Sequence, residues 1–348
     1  MANVEPFIGS RAQKSFIATL VVQGIVVLVM ISLTFHFVAE HVDFDRSNYK
    51  TLPCYLALFI FAELFEVVMA FDALRMRNVI QLAGILLFHM ALIVFAAIQV
   101  HETKTALVTL PDCDGTVSFI NCGGAHTLFR KVEPFLIVTP CIIGASWLVM
   151  MWFVRTLYAE FGWAIFRVVG ANPAMKTMYQ FYQVMICLLK FDFFCFTGVT
   201  IQLLIVVLSD SSAEFGLTIA AIPVVLFLLI GAGLAVQREI KWLMTVSLIL
   251  MLAAETYFVY KLVRFYQPSS EQQYITTRAT LTVFTIVAFI LLLTTFAIGL
   301  RCFSDFDKGL YKSKTHDAPL FRRKASATAH PGEYKDEVDQ TETRLSIE

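Results

Sequence analysis

Apolar residues in this chain fall into eight long runs, at 15–38, 53–74, 79–100, 134–155, 182–208, 216–236, 243–263 and 279–300, parted by polar segments. Each run has the length that crosses a hydrocarbon core, about 20 residues at about 1.5 Å per residue in a helix. The pattern predicts an all-α, polytopic membrane protein of about eight transmembrane helices, with residues 1–300 as the membrane domain. The first run is longer than a signal-peptide core and no small-residue cleavage site follows it, so it reads as a retained span. Beyond Arg301 the chain turns polar, rich in Lys, Asp, Glu, Ser and Thr, and the reading is a disordered tail over 301–348.

The breaks carry their own signals. A polar loop at 39–52 precedes the second run, and Arg75 and Arg77 close that run. The connection after the third run is long, with Asp, Gly and Asn clusters that read as turns. The stretch RTLYAEFGWAIFRVVGANPAMKTMYQFYQ mixes aromatic, apolar and basic residues and breaks at Asn172-Pro173, which predicts a helix lying in the membrane interface. SDSSAEF and QREIKW make tight turns on either side of the sixth run, which holds Pro223. No fixed-period repeat is visible, and spans one to four do not resemble spans five to eight.

Composition agrees with this reading. Hydrophobic residues make up 58% and charged residues 16%, against about 25% charged in soluble domains. Mean hydropathy is +0.71. The formal net charge of zero hides a sorting by segment. If the N-terminus is cytosolic, the cytosolic segments hold Arg11, Lys14, Arg75, Arg77, Arg155, Arg167, Lys176, Arg238, Lys241 and all the tail cations, and the opposite segments hold fewer than half as many. Both termini are therefore expected in the cytosol.

Ionisable side chains inside the runs are the candidate chemistry. A charge at a helix centre costs roughly 2.5 to 3.5 kcal/mol on the insertion scale, so each needs a partner or a wet cavity. Counted from the cytosolic end, Lys190 and Glu66 lie roughly 12 Å deep, and Asp192, His89 and Glu63 roughly 15 Å deep, with Glu255 a little deeper. This layer of Glu63, Glu66, His89, Lys190, Asp192 and Glu255 is the candidate site. The expectation is that Glu66 or Glu63 pairs with Lys190 while His89 satisfies what remains. Two roles stay open, a joint that fixes helix packing and a proton, ion or substrate path.

Other residues add less. Cys113 and Cys122 sit in the long loop on the expected lumenal side, where a disulfide is one outcome. Cys54, Cys141, Cys187 and Cys195 read as small apolar fillers. Cys302, at the end of the last run, is placed for palmitoylation or stays unmodified. Arg322, Arg323, Lys324 and Ser326 form a basic patch in the tail that would suit anionic lipid. No HExxH, GxSxG, Walker or paired CxxC motif is present, and the histidines do not recur at metal-ligand spacing, so no catalytic residue, metal or cofactor is assigned.

The block EFGWAIFRVVGANPAMKTMYQFYQVMICLLKFDFFCFTGVTIQLLIVVL, with REIKWLMTVSLILMLAAETYFVYKLVRFYQ and FDKGL after it, resembles a family of fungal Golgi apparatus multi-pass membrane proteins whose activity is uncharacterised. KFDFF is its most specific piece. The resemblance implies a Golgi membrane location, and carries over no catalytic or binding residue. The expected function is a non-enzymatic role in Golgi organisation, trafficking or cargo handling, acting through the tail and the interfacial helix. The alternative is an ion- or proton-coupled transporter using the charged layer, and a lipid-modifying enzyme comes third. Expected partners are membrane lipids and cytosolic proteins that meet the tail, with no nucleic acid.

Overall fold

In the computed structural model, residues 9–42, 51–108, 122, 124, 126–169, 173–207, 213–267 and 278–308 are described. The tail beyond Lys308, including its basic patch, and Cys113 with its expected bridge to Cys122, lie outside the described residues. The helices are α1 (Arg11–Ala39), α2 (Thr51–Met76), α3 (Val79–Leu107), α4 (Leu128–Val169), α5 (Pro173–Val207), α6 (Ala213–Arg238), α7 (Lys241–Phe265) and α8 (Arg278–Ser304). All eight are long and apolar enough to cross a membrane.

The polar breaks work as caps. Ser10 accepts the Gln13 N–H at 3.2 Å and starts α1. Between α2 and α3, Arg77 takes φ 49° and the Asn78 N–H donates back to Ala73 O at 2.9 Å, while the Asn78 side chain accepts from the N–H groups of Ile80 and Gln81. Between α6 and α7 the same turn recurs, with Glu239 at φ 55° and the Ile240 N–H donating to Ala235 O at 3.0 Å. Each closes a helix with a left-handed residue followed by a six-to-one hydrogen bond.

These turns occupy equivalent places in two like bundles. In the first, α1 packs on α2 and α4, and α3 packs on α2 and α4; in the second, α5 packs on α6 and α8, and α7 packs on α6 and α8. Both bundles are closed rings of four helices in chain order, joined where α5 meets α2, α3 and α4. A repeat of backbone arrangement therefore exists where the sequence shows none. Lipid-facing and inter-helix positions accept many apolar residues interchangeably, so the arrangement places little constraint on identity.

Two expected boundaries are corrected. The segment 155–183 is not a separate interfacial helix. Its first part continues α4, a helix of 42 residues, and its second part opens α5 at Pro173. Only the residues between 169 and 173 part the two, and proline is well suited to the first turn of a helix. The α4 extension turns inward because Leu157 and Phe161 are fully buried and Glu160 accepts from Gln13 Nε2 of α1 at 2.6 Å. Its apolar residues therefore meet α1 as well as lipid.

The last helix also runs past Arg301. α8 runs to Ser304, and the following residues dock on the α6–α7 turn: Phe306 is buried, the Asp307 N–H donates to Glu239 Oε2 at 3.3 Å, and Asp307 pairs with Lys241. FDKGL is thus in part a clasp at that end of the second bundle. Cys302, placed for palmitoylation or unmodified, is buried just before it.

Candidate functional site

The six residues of the expected layer divide among three places. Glu63, Glu66 and His89 lie inside the first bundle, Asp192 and Glu255 inside the second, and Lys190 at the joint.

In the first bundle α2 and α3 bring Glu66 Oε1 to 2.6 Å from His89 Nδ1, with both side chains fully buried. His89 Nε2 faces α4, 3.0 Å from Ile143 O and 2.9 Å from Ser146 Oγ. A carbonyl oxygen can only accept, so Nε2 carries a hydrogen. One proton is then shared between Glu66 and Nδ1, and the pair is neutral overall wherever that proton sits. Glu63, 3% exposed, accepts from Gln23 Nε2 of α1 at 2.8 Å. Its other oxygen lies 3.1 Å from where a Cβ on Gly24 would stand, so a glycine there makes room for the carboxylate.

Glu66, His89 and Ser146 form an acid, imidazole and hydroxyl in a row, the order a hydrolytic triad uses. Their hydrogens point the other way. Ser146 Oγ donates to Ile143 O at 2.8 Å, and His89 Nε2 donates rather than accepts, so nothing draws the proton from the hydroxyl. Ser146 is 8% exposed and His89 fully buried, and the row ties α2, α3 and α4 together.

Lys190 corrects the expected pairing. Its ammonium donates to Asp72 of α2 and, at 3.0 Å, to Gln81 Oε1 of α3, while Gln81 Nε2 donates to Asp72 at 3.0 Å and to Met69 O at 3.0 Å. Neither Glu63 nor Glu66 is its partner. Asp72 stands four residues before the end of α2 and Gln81 two after the start of α3, so the long side chain carries its charge to within roughly 6 Å of the helix ends. The Lys190 and Asp72 side chains are 30% and 36% exposed, which places the ion pair at the edge of the apolar layer.

The rest of KFDFF sorts the two faces of α5. Phe191 packs against Phe65 and Phe88, with ring centroids 5.9 and 5.8 Å apart. Phe194 lies 5.1, 4.9 and 4.7 Å from Phe61, Phe65 and Phe88. Both rings face the first bundle. Asp192 points into the second, where its Oδ2 accepts from Thr295 Oγ1 of α8 at 2.6 Å and its Oδ1 has no partner among the described residues.

Asp192 also lines a cavity of about 260 Å³ enclosed by α5, α6, α7 and α8. The other lining side chains are apolar apart from Tyr257, and Ala221, Ala254 and Ala288 leave the room. Glu255 is 7% exposed, on the buried stripe of α7 that includes Met251 and Phe258, and neither of its oxygens has a hydrogen-bond partner among the described residues. No group of three or more His, Cys, Asp or Glu that could hold a metal occurs among the described residues.

Sequence reading found the acids and missed their partners: Gln23, Asp72, Gln81, Ser146 and Thr295. Asp72 was the readable one, being a third acid within the second apolar run. Of the remaining cysteines, Cys54, Cys187 and Cys195 are buried as fillers would be, and Cys141 is exposed.

Compared with known proteins, the chain is 29% identical over 273 residues to a UPF0658 Golgi apparatus membrane protein of Schizosaccharomyces pombe, a match covering 75% of this chain and 77% of that one. It supports the resemblance to an uncharacterised family of fungal Golgi membrane proteins. No family model and no solved structure matches.

Proposed function

We propose, from the likeness to a fungal Golgi apparatus membrane protein, that this chain is a multi-pass component of the Golgi membrane that handles a small membrane-borne cargo without covalent chemistry. The observation that carries this reading is the cavity of the second bundle, apolar but for Tyr257 and a carboxylate with an unfilled hydrogen-bonding site. Such a combination of apolar walls and few polar groups is what small-molecule sites present. The sorting of Lys and Arg along the sequence supports both termini in the cytosol, where the tail would meet protein partners.

Cells lacking the protein, complemented with variants, test this reading by the lipid and cargo composition of isolated Golgi membranes. Ala254→Phe, which fills the cavity, is expected to reach the Golgi and fail to restore composition, while a chain ended after Lys308 restores it at least in part. The opposite result makes the chain a scaffold acting through its tail and refutes cargo handling.

A second reading, proton-coupled transport, draws on the proton shared by Glu66 and His89 inside the first bundle. It requires uptake into reconstituted vesicles that is driven by a pH gradient and abolished in His89→Asn.

A further inference from the structure

The cavity of the second bundle opens toward lipid. Ala220 and Val224 of α6 and Ala253 of α7 belong to its lining and are also exposed on the outside of the bundle, Val224 at 53%. The mouth therefore lies between α6 and α7, facing acyl chains. Pro223 sits at this rim and lacks the N–H that would bond the carbonyl four residues back, which weakens the regular helix there. A molecule entering from the bilayer passes between these two helices without crossing a polar surface.

What it meets inside is acid without base. Asp192 is 5% exposed and lines the cavity, with Oδ2 held by Thr295 and Oδ1 empty. Glu255 stands on α7 next to the cavity-lining Ala254, with both oxygens unbonded. The cation on the same helix, Lys261, is fully buried and lies against the Tyr257 ring at 5.8 Å, and it makes no hydrogen bond to Glu255 or to Asp192 Oδ1. Lys190, two residues from Asp192, is turned to Asp72 and Gln81 in the other bundle. A buried acceptor left unfilled is costly, and a carboxylate in apolar surroundings calls for a cation.

We infer that this cavity takes a single-chain lipid-like amine, its chain along the apolar wall and its ammonium donating to Asp192 Oδ1. The inference rests on the cargo reading and adds the chemical class of the cargo. A neutral head group would fill one acceptor, whereas an ammonium also offsets the negative charge of an acid that has no bonded cation when that acid is ionised. Thr295, by holding Oδ2, leaves Oδ1 to the ligand. The space suits one chain better than two, since 260 Å³ is near the lower end of small-molecule sites.

Photolabelling of the full chain in lipid nanodiscs tests this, using a diazirine-bearing dodecylamine and the matching dodecanol, with labelled peptides mapped by mass spectrometry. The amine is expected to label the α6 and α7 peptides around Val224 and Ala254 more strongly than the alcohol. Labelling should fall about tenfold in Asp192→Asn, the loss of one charged hydrogen bond, and vanish in Ala254→Phe and Ala288→Leu. Equal labelling by amine and alcohol, unchanged in Asp192→Asn, overturns the amine while leaving a cargo cavity standing. Absence of labelling by either probe, or labelling that survives both cavity-filling variants, overturns amine and cargo reading together. Should the filling variants fold poorly, the amine-to-alcohol ratio in the unaltered chain still decides.

Discussion

At the residue scale, the first bundle shows how ionisable groups are held in a membrane interior without standing as free charges. Glu66 and His89 share a proton, and the imidazole spends its other hydrogen on a backbone carbonyl that Ser146 also serves. Removing one member strands the other. Glu66→Leu is expected to lower stability by roughly 3 to 5 kcal/mol, as breaking one side of a buried pair does. The double variant Glu66→Leu with His89→Leu should recover much of that loss, because Ile143 O keeps the Ser146 hydroxyl and no polar group is left unfilled. Denaturation in detergent micelles measures both; a double variant as unstable as the sum of the singles would show that the pair is not a closed unit. The acids and the histidine of this unit were readable from sequence, since ionisable residues in apolar runs announce themselves. Ser146 and Gln23 were not, because uncharged polar residues are tolerated in such runs and give no sign of the helix they face.

At the element scale, α5 owes its place to having two different faces. Cys187, Lys190, Phe191 and Phe194 meet the first bundle at helical spacing, while Asp192 and Phe196 meet the second. Close approach of α3 and α5 depends on Gly84. A Cβ there would stand 2.8 Å from Phe191 Cε2 and 3.1 Å from Cys187 Sγ. The ring cannot yield easily, being wedged between Phe65 and Phe88. Gly84→Ala is expected to destabilise by about 1 to 3 kcal/mol through overpacking, and Phe191→Leu in the same chain to relieve part of it. Melting of the purified variants checks the order; a Gly84→Ala protein as stable as the parent would mean that α3 and α5 are less closely packed than this contact requires. The mix of charge and aromatics in KFDFF marked the helix as unusual, but adjacent residues point in different directions and only the neighbours decide which direction is which.

For the whole molecule, two rings of four helices meet along α5, and each ring closes on itself. The break between α4 and α5 is short, and the joint of the two rings is a cluster of phenylalanines on α2, α3 and α5 with the Lys190–Asp72 pair at its edge, extended by Phe284 of α8 against Phe95. Halves 1–170 and 173–348, expressed together as separate chains, are therefore expected to assemble and co-purify. Phe65→Ala with Phe194→Ala should weaken the pairing, since large aromatic residues in such joints lose roughly 3 to 5 kcal/mol each when cut back. Halves that aggregate separately, with no complex recovered by size-exclusion chromatography, would refute independent closure of the rings. The interiors differ along the same line: the first ring holds the Glu66, His89 and Ser146 row, and the second keeps an opening with an acid inside.

Sequence alone determined the eight crossings, the tight turn at QREIKW, the break at Asn172-Pro173 and the presence of acids among apolar residues. Hydropathy and turn chemistry are local quantities that sum along the chain, and they need no neighbour to be read. Only the tertiary structure decided that Lys190 reaches Asp72 rather than a glutamate, that α4 runs on past Arg155, and that three alanines leave a hollow beside Asp192. Those outcomes depend on how each helix is rotated about its own axis. Rotation is settled by the shape of side chains whose hydropathies are nearly equal, so one neighbour can be exchanged for another without changing the pattern along the chain.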